Sequence, residues 1–162
     1  MIKLVRIDDR LIHGQVSFTW IPALGVNYVI VANDKVAKDE FQKMTLGLAK
    51  PANIKLLIIS INDAVVFLND VKNQPLKILV LINSIKDAAS LTENVAEIKS
   101  VNFGGIRSKE GSTLISKAIA ITNDDLPVLH EMIQKLIELE VRQVPTDSKL
   151  LVADLIKNLP KQ

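Results

Sequence analysis

Cysteine is absent from the 162 residues. That removes disulfides, thiolate nucleophiles and cysteine-based metal sites, and it favours a reducing compartment. Aromatic residues make up only 4% of a chain that is 48% hydrophobic, so its core must be built from Ile, Leu, Val and Ala. Such a core suits buried parallel strands covered by helices. The two histidines, His13 and His130, do not make a metal site, and neither a metal nor a cofactor is expected. No uncharged apolar run approaches the about 20 residues needed to span a bilayer. The longest, around Ile78 to Ile85, has the length of a strand. Met1 to Arg6 lacks the apolar segment of a signal peptide, and the expectation is a cytoplasmic, soluble chain. An excess of one charge is also missing: 20 basic residues face 18 acidic ones, a net charge of +2. Without a basic stripe, nucleic acid is not an expected partner. No GxGxxG follows the first apolar run and no Walker A sequence occurs, so the phosphate-binding turns of nucleotide folds are absent.

What is present alternates. Ile2–Ile7 reads as a strand, followed by a helix from about Gln15 to Leu24 that Gly25 ends. Tyr28–Val31 is a second strand, and Asn33-Asp34 caps a helix running to about Leu48. Ile54–Ile59 is a third, with Asn62 or Asp63 capping a helix to about Val71. Lys77–Ile82 is a fourth, followed by a short helix around Asp87 to Thr92. Glu97–Asn102 is a fifth, ending in Phe103-Gly104-Gly105. The segment from Gly104 to Ser112 is too irregular for a crossover helix, and Ala118–Ile121 reads as a strand beyond it. Leu129, Met132, Ile133, Leu136 and Ile137 follow the spacing of a buried helical stripe. Val141–Val144 is expected as an edge strand, and Pro145-Thr146-Asp147 as the start of a final helix to about Leu159. The pattern predicts one domain over residues 1–162. It is an α/β fold with an open, mainly parallel sheet, helices on both faces, and the first strand near the centre.

Ligands in such sheets gather at the carboxyl ends of the strands. The turn after the first strand, Asp8-Asp9-Arg10-Leu11-Ile12-His13-Gly14-Gln15, concentrates the charged groups there. Imidazole is an effective nucleophile near neutral pH. At a helix start the N–H groups of Gly14, Gln15 and Val16 and the helix dipole favour an anion on the ring. Arg10 can clamp a phosphoryl group with two parallel hydrogen bonds. Asp8 or Asp9 can hold either that guanidinium or the far ring nitrogen, and Gly14 clears the approach. On spacing alone, a transient phosphoryl carrier and a half-exposed loop histidine are evenly matched. His130 reads as a surface residue. Phe18 and Trp20 read as core. Gly104-Gly105 with Gly111 reads either as an anion nest or as a flexible turn. Asp8-Asp9 also suggests the acidic pair of a receiver-like signalling domain phosphorylated on Asp. That alternative lacks an aspartate after strand three and a lysine after strand five.

The segment Val5-Arg6-Ile7-Asp8-Asp9-Arg10-Leu11-Ile12-His13-Gly14-Gln15-Val16 resembles the active-site segment of the IIB component of the mannose/fructose/sorbose family of the bacterial sugar phosphotransferase system. Val101-Asn102-Phe103-Gly104-Gly105-Ile106 and Val141-Arg142-Gln143-Val144-Pro145-Thr146-Asp147 add to the resemblance, which spans essentially the whole chain. Phe103 departs from an expected β-branched aliphatic. The resemblance implies a seven-stranded sheet with one edge strand reversed. It implies that His13 accepts a phosphoryl group on Nδ1 from the phosphohistidine of a IIA component and passes it to a sugar of the mannose, fructose, sorbose or amino-sugar class. That sugar would be held by membrane IIC/IID components, so the chain would work peripherally at the membrane. Arg10 would contact the phosphoryl group, Asp8 would be the nearby carboxylate, and Gly14, Gln15, Gly104 and Gly105 are the phosphate-binding candidates. Leu11 and Ile12 are expected to lend contact area to a partner if exposed, and a homo-oligomer is left open.

Overall fold

The computed structural model describes residues 1–159. A seven-stranded sheet carries the fold, in the order β3-β2-β4-β1-β5-β8-β9. Its strands are β1 (Ile2–Asp8), β2 (Tyr28–Ala32), β3 (Lys55–Ile59), β4 (Ile78–Ile82), β5 (Ser100–Gly105), β8 (Glu138–Val141) and β9 (Leu150–Leu151). All neighbouring pairs are parallel except β8 and β9. β1 is therefore the middle strand, as the sequence predicts. The antiparallel edge is β9 rather than Val141–Val144, because β8 ends at Val141 and pairs on both sides. A separate hairpin joins β6 (Ser112–Leu114) to β7 (Ala120–Thr122) and fills the irregular stretch after β5.

Strand periodicity explains the layering, since successive side chains point to opposite faces. On β4, Ile78, Val80 and Ile82 enter the larger core, while Leu79 and Leu81 enter the smaller one on the other face. The larger core lies under α3 (Ile61–Asn69), α4 (Ile85–Asn94), α5 (Asp125–Gln134) and α6 (Val152–Ile156). The smaller is covered by a π-helical turn, Val16–Trp20, that runs into α1 (Ile21–Leu24). Gly25, at φ 63°, ends α1 in the left-handed region, where glycine carries no Cβ penalty.

Serines rather than the expected Asn62 and Asp63 start α3: Ser60 Oγ accepts from Asp63 N–H, and Ser84 does the same for Asp87 on α4. The helix expected after Asn33-Asp34 is divided. A 3-10 turn, Val36–Lys38, is followed by α2 (Glu40–Gly47), because Asp39 leaves helical geometry and its side chain caps the second piece. The final helix starts at Val152, since Leu150–Leu151 are committed to the edge pairing. The buried stripe of α5 holds for Leu129 and Met132 but not for Leu136. The helix ends at Gln134, and Leu136 lies beyond it at φ 64° and 87% exposed. His130, expected at the surface, is half-buried, with Nε2 buried and unpaired.

Leu129→Ala should lower stability by about 2–5 kcal/mol through the cavity it leaves. Leu136→Ala should stay within about 0.5 kcal/mol. Urea midpoints for both variants check this directly.

Candidate functional site

Period-two alternation on β1 puts Arg6 and Asp8 on one face and Val5 and Ile7 in the core behind the other. Both charged residues are fully buried. A buried charge is strongly disfavoured unless it is paired and hydrogen-bonded, and here it is. Arg6 Nη2 donates to Asp8 Oδ2 (3.1 Å), Gln15 Oε1 (3.1 Å) and the Gln143 carbonyl (3.2 Å); Nη1 donates to Asn102 Oδ1 (2.8 Å) and the Arg142 carbonyl (3.1 Å). Only Nε lacks a partner. The Trp20 ring lies 5.1 Å from the guanidinium of Arg6 and 5.1 Å from that of Arg142, and its indole N–H donates to the Gln143 carbonyl (2.9 Å).

Beyond Asp8 the chain turns sharply. Leu11 N–H donates to the Asp8 carbonyl (2.8 Å), and Leu11 takes a left-handed φ of 59°. That conformation costs a branched side chain of order 1–3 kcal/mol and persists only when its surroundings hold it. They do: Leu11 and Ile12 are buried in the smaller core. They anchor the loop from inside, so they do not supply the contact area expected of them. The turn then delivers His13, whose carbonyl accepts the helical N–H of Ser17 (3.0 Å). The N–H groups of Gly14, Gln15 and Val16, ahead of that bond, have no place in the helical ladder.

His13 Nε2 lies 2.8 Å from Asp8 Oδ2. A carboxylate only accepts, so Nε2 is the donor, and in the neutral ring Nδ1 keeps the lone pair. The hydrogen bond of the ring to Asp8 runs through Nε2, not Nδ1. Asp8 Oδ1 accepts the Arg10 N–H (3.1 Å), with Arg10 Nε at 3.7 Å and the rest of that side chain about half exposed, 53%. Burial alone would push the Asp8 carboxyl up. The hydrogen bonds from His13 and the Arg10 N–H, with the neighbouring Arg6 guanidinium, outweigh it and hold the carboxyl below its ordinary range. Burial likewise pulls Arg6 below its usual value against the opposing Asp8 carboxylate, but a guanidinium remains charged.

The structure thus gathers His13 and the Arg10 backbone N–H on the Asp8 carboxylate, with the Arg10 guanidinium just beyond hydrogen-bonding distance. Asp9 turns away, bonding the Arg107 N–H and Nε (2.9 Å each), which resolves the choice between the two aspartates. Gly104 and Gly105 lie beside this group, lining with Arg10, Arg107, Lys117 and Gln143 a cleft of about 530 Å³. Gly104 has a further reason to be glycine, since a Cβ there would stand 2.0 Å from the Arg6 guanidinium carbon. Gln15 turns its side chain inward to Arg6. Phe18 is 83% exposed, not core, whereas Trp20 is buried as expected. The residue that sequence reasoning passes over is Arg6; its signal is a charge inside an otherwise apolar central strand. Asn102 and Gln143 stand out in the sequence only as members of the two downstream motifs. Among the described residues no group of three or more His, Asp and Glu is placed to hold a metal, and no helix is long and apolar enough to cross a membrane.

A family profile described as PTS system sorbose subfamily IIB component matches residues 2–162. The mannose-specific EIIAB component of Escherichia coli is 34% identical over 99% of this chain, which spans only half the length of that relative. The sorbose-specific EIIB component of Lacticaseibacillus casei is 33% identical, over 91% of this chain and 90% of its own. Among solved structures, the IIBSor domain of the sorbose permease from Klebsiella pneumoniae superposes with a TM-score of 0.93 at 28% identity, covering 99% of this chain and 98% of that one.

Because its folded-state value is depressed, the Asp8 carboxylate contributes stability that is fully present above the ordinary carboxyl value of about 3.9 and is lost as pH falls through the lower folded value. Asp8→Asn should cost about 3–5 kcal/mol at pH 7 by leaving Arg6 uncompensated. The gap in urea midpoint between wild type and Asp8→Asn should narrow below about pH 4. A gap unchanged down to pH 2 would contradict the depressed value.

Proposed function

Since the chain belongs to the sorbose-type IIB family of the sugar phosphotransferase system, we propose that it is a phosphocarrier in which His13 Nδ1 accepts a phosphoryl group and hands it on. The observation that carries this reading is the bond from His13 Nε2 to the buried Asp8, which leaves Nδ1 as the ring nitrogen with a free electron pair. In the first step that pair forms the N–P bond as the P–N bond to the donor imidazole breaks, and the donor ring recovers its pair. The Nε2 proton stays in its bond to Asp8, whose negative charge offsets the positive charge gained by the ring. Transfer between imidazoles is nearly symmetric, so in-line positioning and charge on the three equatorial oxygens dominate the rate. Arg10 is the clamp on those oxygens, half exposed and tethered through its backbone to the same carboxylate as His13. The N–H groups of Gly14 and Gln15, left over at the helix start, are the candidate backbone donors to the phosphoryl group, with Gly104 and Gly105, which line a cleft with Arg10, as the further candidates.

In this reading the donor is the phosphohistidine of a IIA protein, and the acceptor is a sugar hydroxyl presented by membrane IIC/IID components. Residues 1–162 act as one IIB unit on the cytoplasmic side of the membrane. The relatives named for mannose, sorbose and fructose and a solved N-acetylgalactosamine-specific relative bracket the sugar class. Sugar choice lies with the membrane components, because only the acceptor hydroxyl need approach His13. The receiver-like alternative finds no support: Asp8 is enclosed by Arg6, Arg10 and His13, and Asp63 sits in the first turn of α3.

Incubated with phosphoenolpyruvate, the general phosphotransferase proteins and a IIA protein, the chain should take up an alkali-stable, acid-labile label, and His13→Ala should take up none. Undiminished labelling of His13→Ala would remove His13 from the reaction. Arg10→Ala should slow labelling by about 10²–10³-fold, the usual cost of losing one charge-stabilising donor, with an unchanged urea midpoint. A wild-type rate would exclude Arg10.

A further inference from the structure

Asp8 Oδ2 is shared. It accepts His13 Nε2 at 2.8 Å and Arg6 Nη2 at 3.1 Å, and no water reaches either the carboxylate or the guanidinium, both fully buried. A carboxylate bonded only to an imidazole in a low-dielectric site favours the doubly protonated ring, because the ion pair then replaces an isolated buried anion. A doubly protonated ring has no electron pair on Nδ1 and cannot take a phosphoryl group. A second cation already seated on the same oxygen weakens that incentive, since part of the carboxylate charge is offset before the ring gains its proton.

We propose that Arg6 is a positioning residue for the phosphoryl transfer: by occupying Asp8 Oδ2 alongside His13, it limits the pull of that carboxylate for a second ring proton and keeps the Nδ1 electron pair available. The proposal rests on His13 being the phosphoryl acceptor and adds what sets its reactivity. Arg6 never touches the phosphoryl group, because Trp20, Gln15 and the Gly104 backbone close over it.

The charged groups around this unit fix the sign of each test. Asp8 is faced by Arg6 from its own strand and by Arg10 and His13 from the following turn. From β5, Asn102 and the two glycines bring no charge, and from the π-helical turn Gln15 and Trp20 bring none. From β8, Glu140 stands across Asn102, whose amide donates to Glu140 Oε1 (3.0 Å), and Glu140 is paired with Arg142 (2.8 Å). Through Asn102, which also accepts Arg6 Nη1, Glu140 lies close enough for its charge to act on the Arg6 guanidinium.

The experiment is the pH dependence of phosphoryl acceptance from a phosphorylated IIA protein, followed with wild type, Arg6→Gln, Arg6→Lys and Glu140→Gln. In Arg6→Gln the acid limb of the profile should move to higher pH by about one unit or more, the size of shift that one adjacent charge produces, whatever the height of the plateau. Arg6→Lys, which keeps the charge, should return the limb towards wild type. Glu140→Gln, which strengthens the hold of Arg6 on Asp8, should move the limb the opposite way. If Arg6→Gln does not fold, the paired result from Arg6→Lys and Glu140→Gln decides the matter. An acid limb that stays in place in every folded variant, while stability falls, would make Arg6 a structural residue only and overturn the proposal. Failure of the underlying reading is separate: it would appear as label on wild-type chain at a residue other than His13.

Discussion

A single buried guanidinium holds this site together. Arg6 sits on the middle strand with no access to water, and its five hydrogen bonds reach Asp8 and Gln15 near one end of the chain, Asn102 on β5, and the carbonyls of Arg142 and Gln143 after β8. These are the three segments through which the sequence resembles the IIB family. They lie far apart along the chain and meet because a charge taken out of water must be surrounded. Trp20 completes the enclosure, with the guanidinium groups of Arg6 and Arg142 each 5.1 Å from its ring. Fixing that cation fixes Asp8, and Asp8 in turn orients His13 through Nε2.

The sheet order explains why the centre of the fold is also the place for chemistry. From β1 the chain runs to β2 on one side of the sheet, and from β5 it continues to β8 on the other. The loops after β1 and β5 therefore diverge over a crevice, the position at which open α/β sheets admit ligands. Arg10 comes from the first loop, and Gly104, Gly105 and Arg107 come from the end of β5 and beyond. Rigidity comes from below, where Leu11 and Ile12 are locked into the smaller core and hold a left-handed turn that would otherwise relax. A phosphoryl carrier benefits from such a base, because in-line transfer tolerates little error in the angle of the accepting nitrogen.

Much of this was legible in the residues. Apolar runs of strand length gave the parallel sheet and the central place of β1, and the charged turn after it marked Asp8, Arg10 and His13, which the structure brings together. The failures have physical causes. Leu136 matched a helical stripe, but α5 ends two residues before it. Phe18 matched an apolar face, but the π-helical turn at Val16–Trp20 shifts the phase and sends it outwards. Leu11 and Ile12 lie in a polar loop, where spacing leaves their exposure open, and the strained turn buries them. Arg6 was hidden because periodicity marks where a side chain points but not which distant groups surround it. Asn102 and the carbonyls of residues 142 and 143 become partners only once β5 and β8 are laid beside β1.

The central claim is that a proton held on Nε2 by Asp8 leaves Nδ1 to carry the phosphoryl group. Phosphorus and nitrogen NMR of the phosphorylated chain, with histidine labelled at both ring nitrogens, tests it most directly. The account predicts one-bond phosphorus coupling to Nδ1 of His13, with Nε2 still bearing a proton. Coupling to Nε2, or phosphorylation with Nδ1 unoccupied, would contradict it.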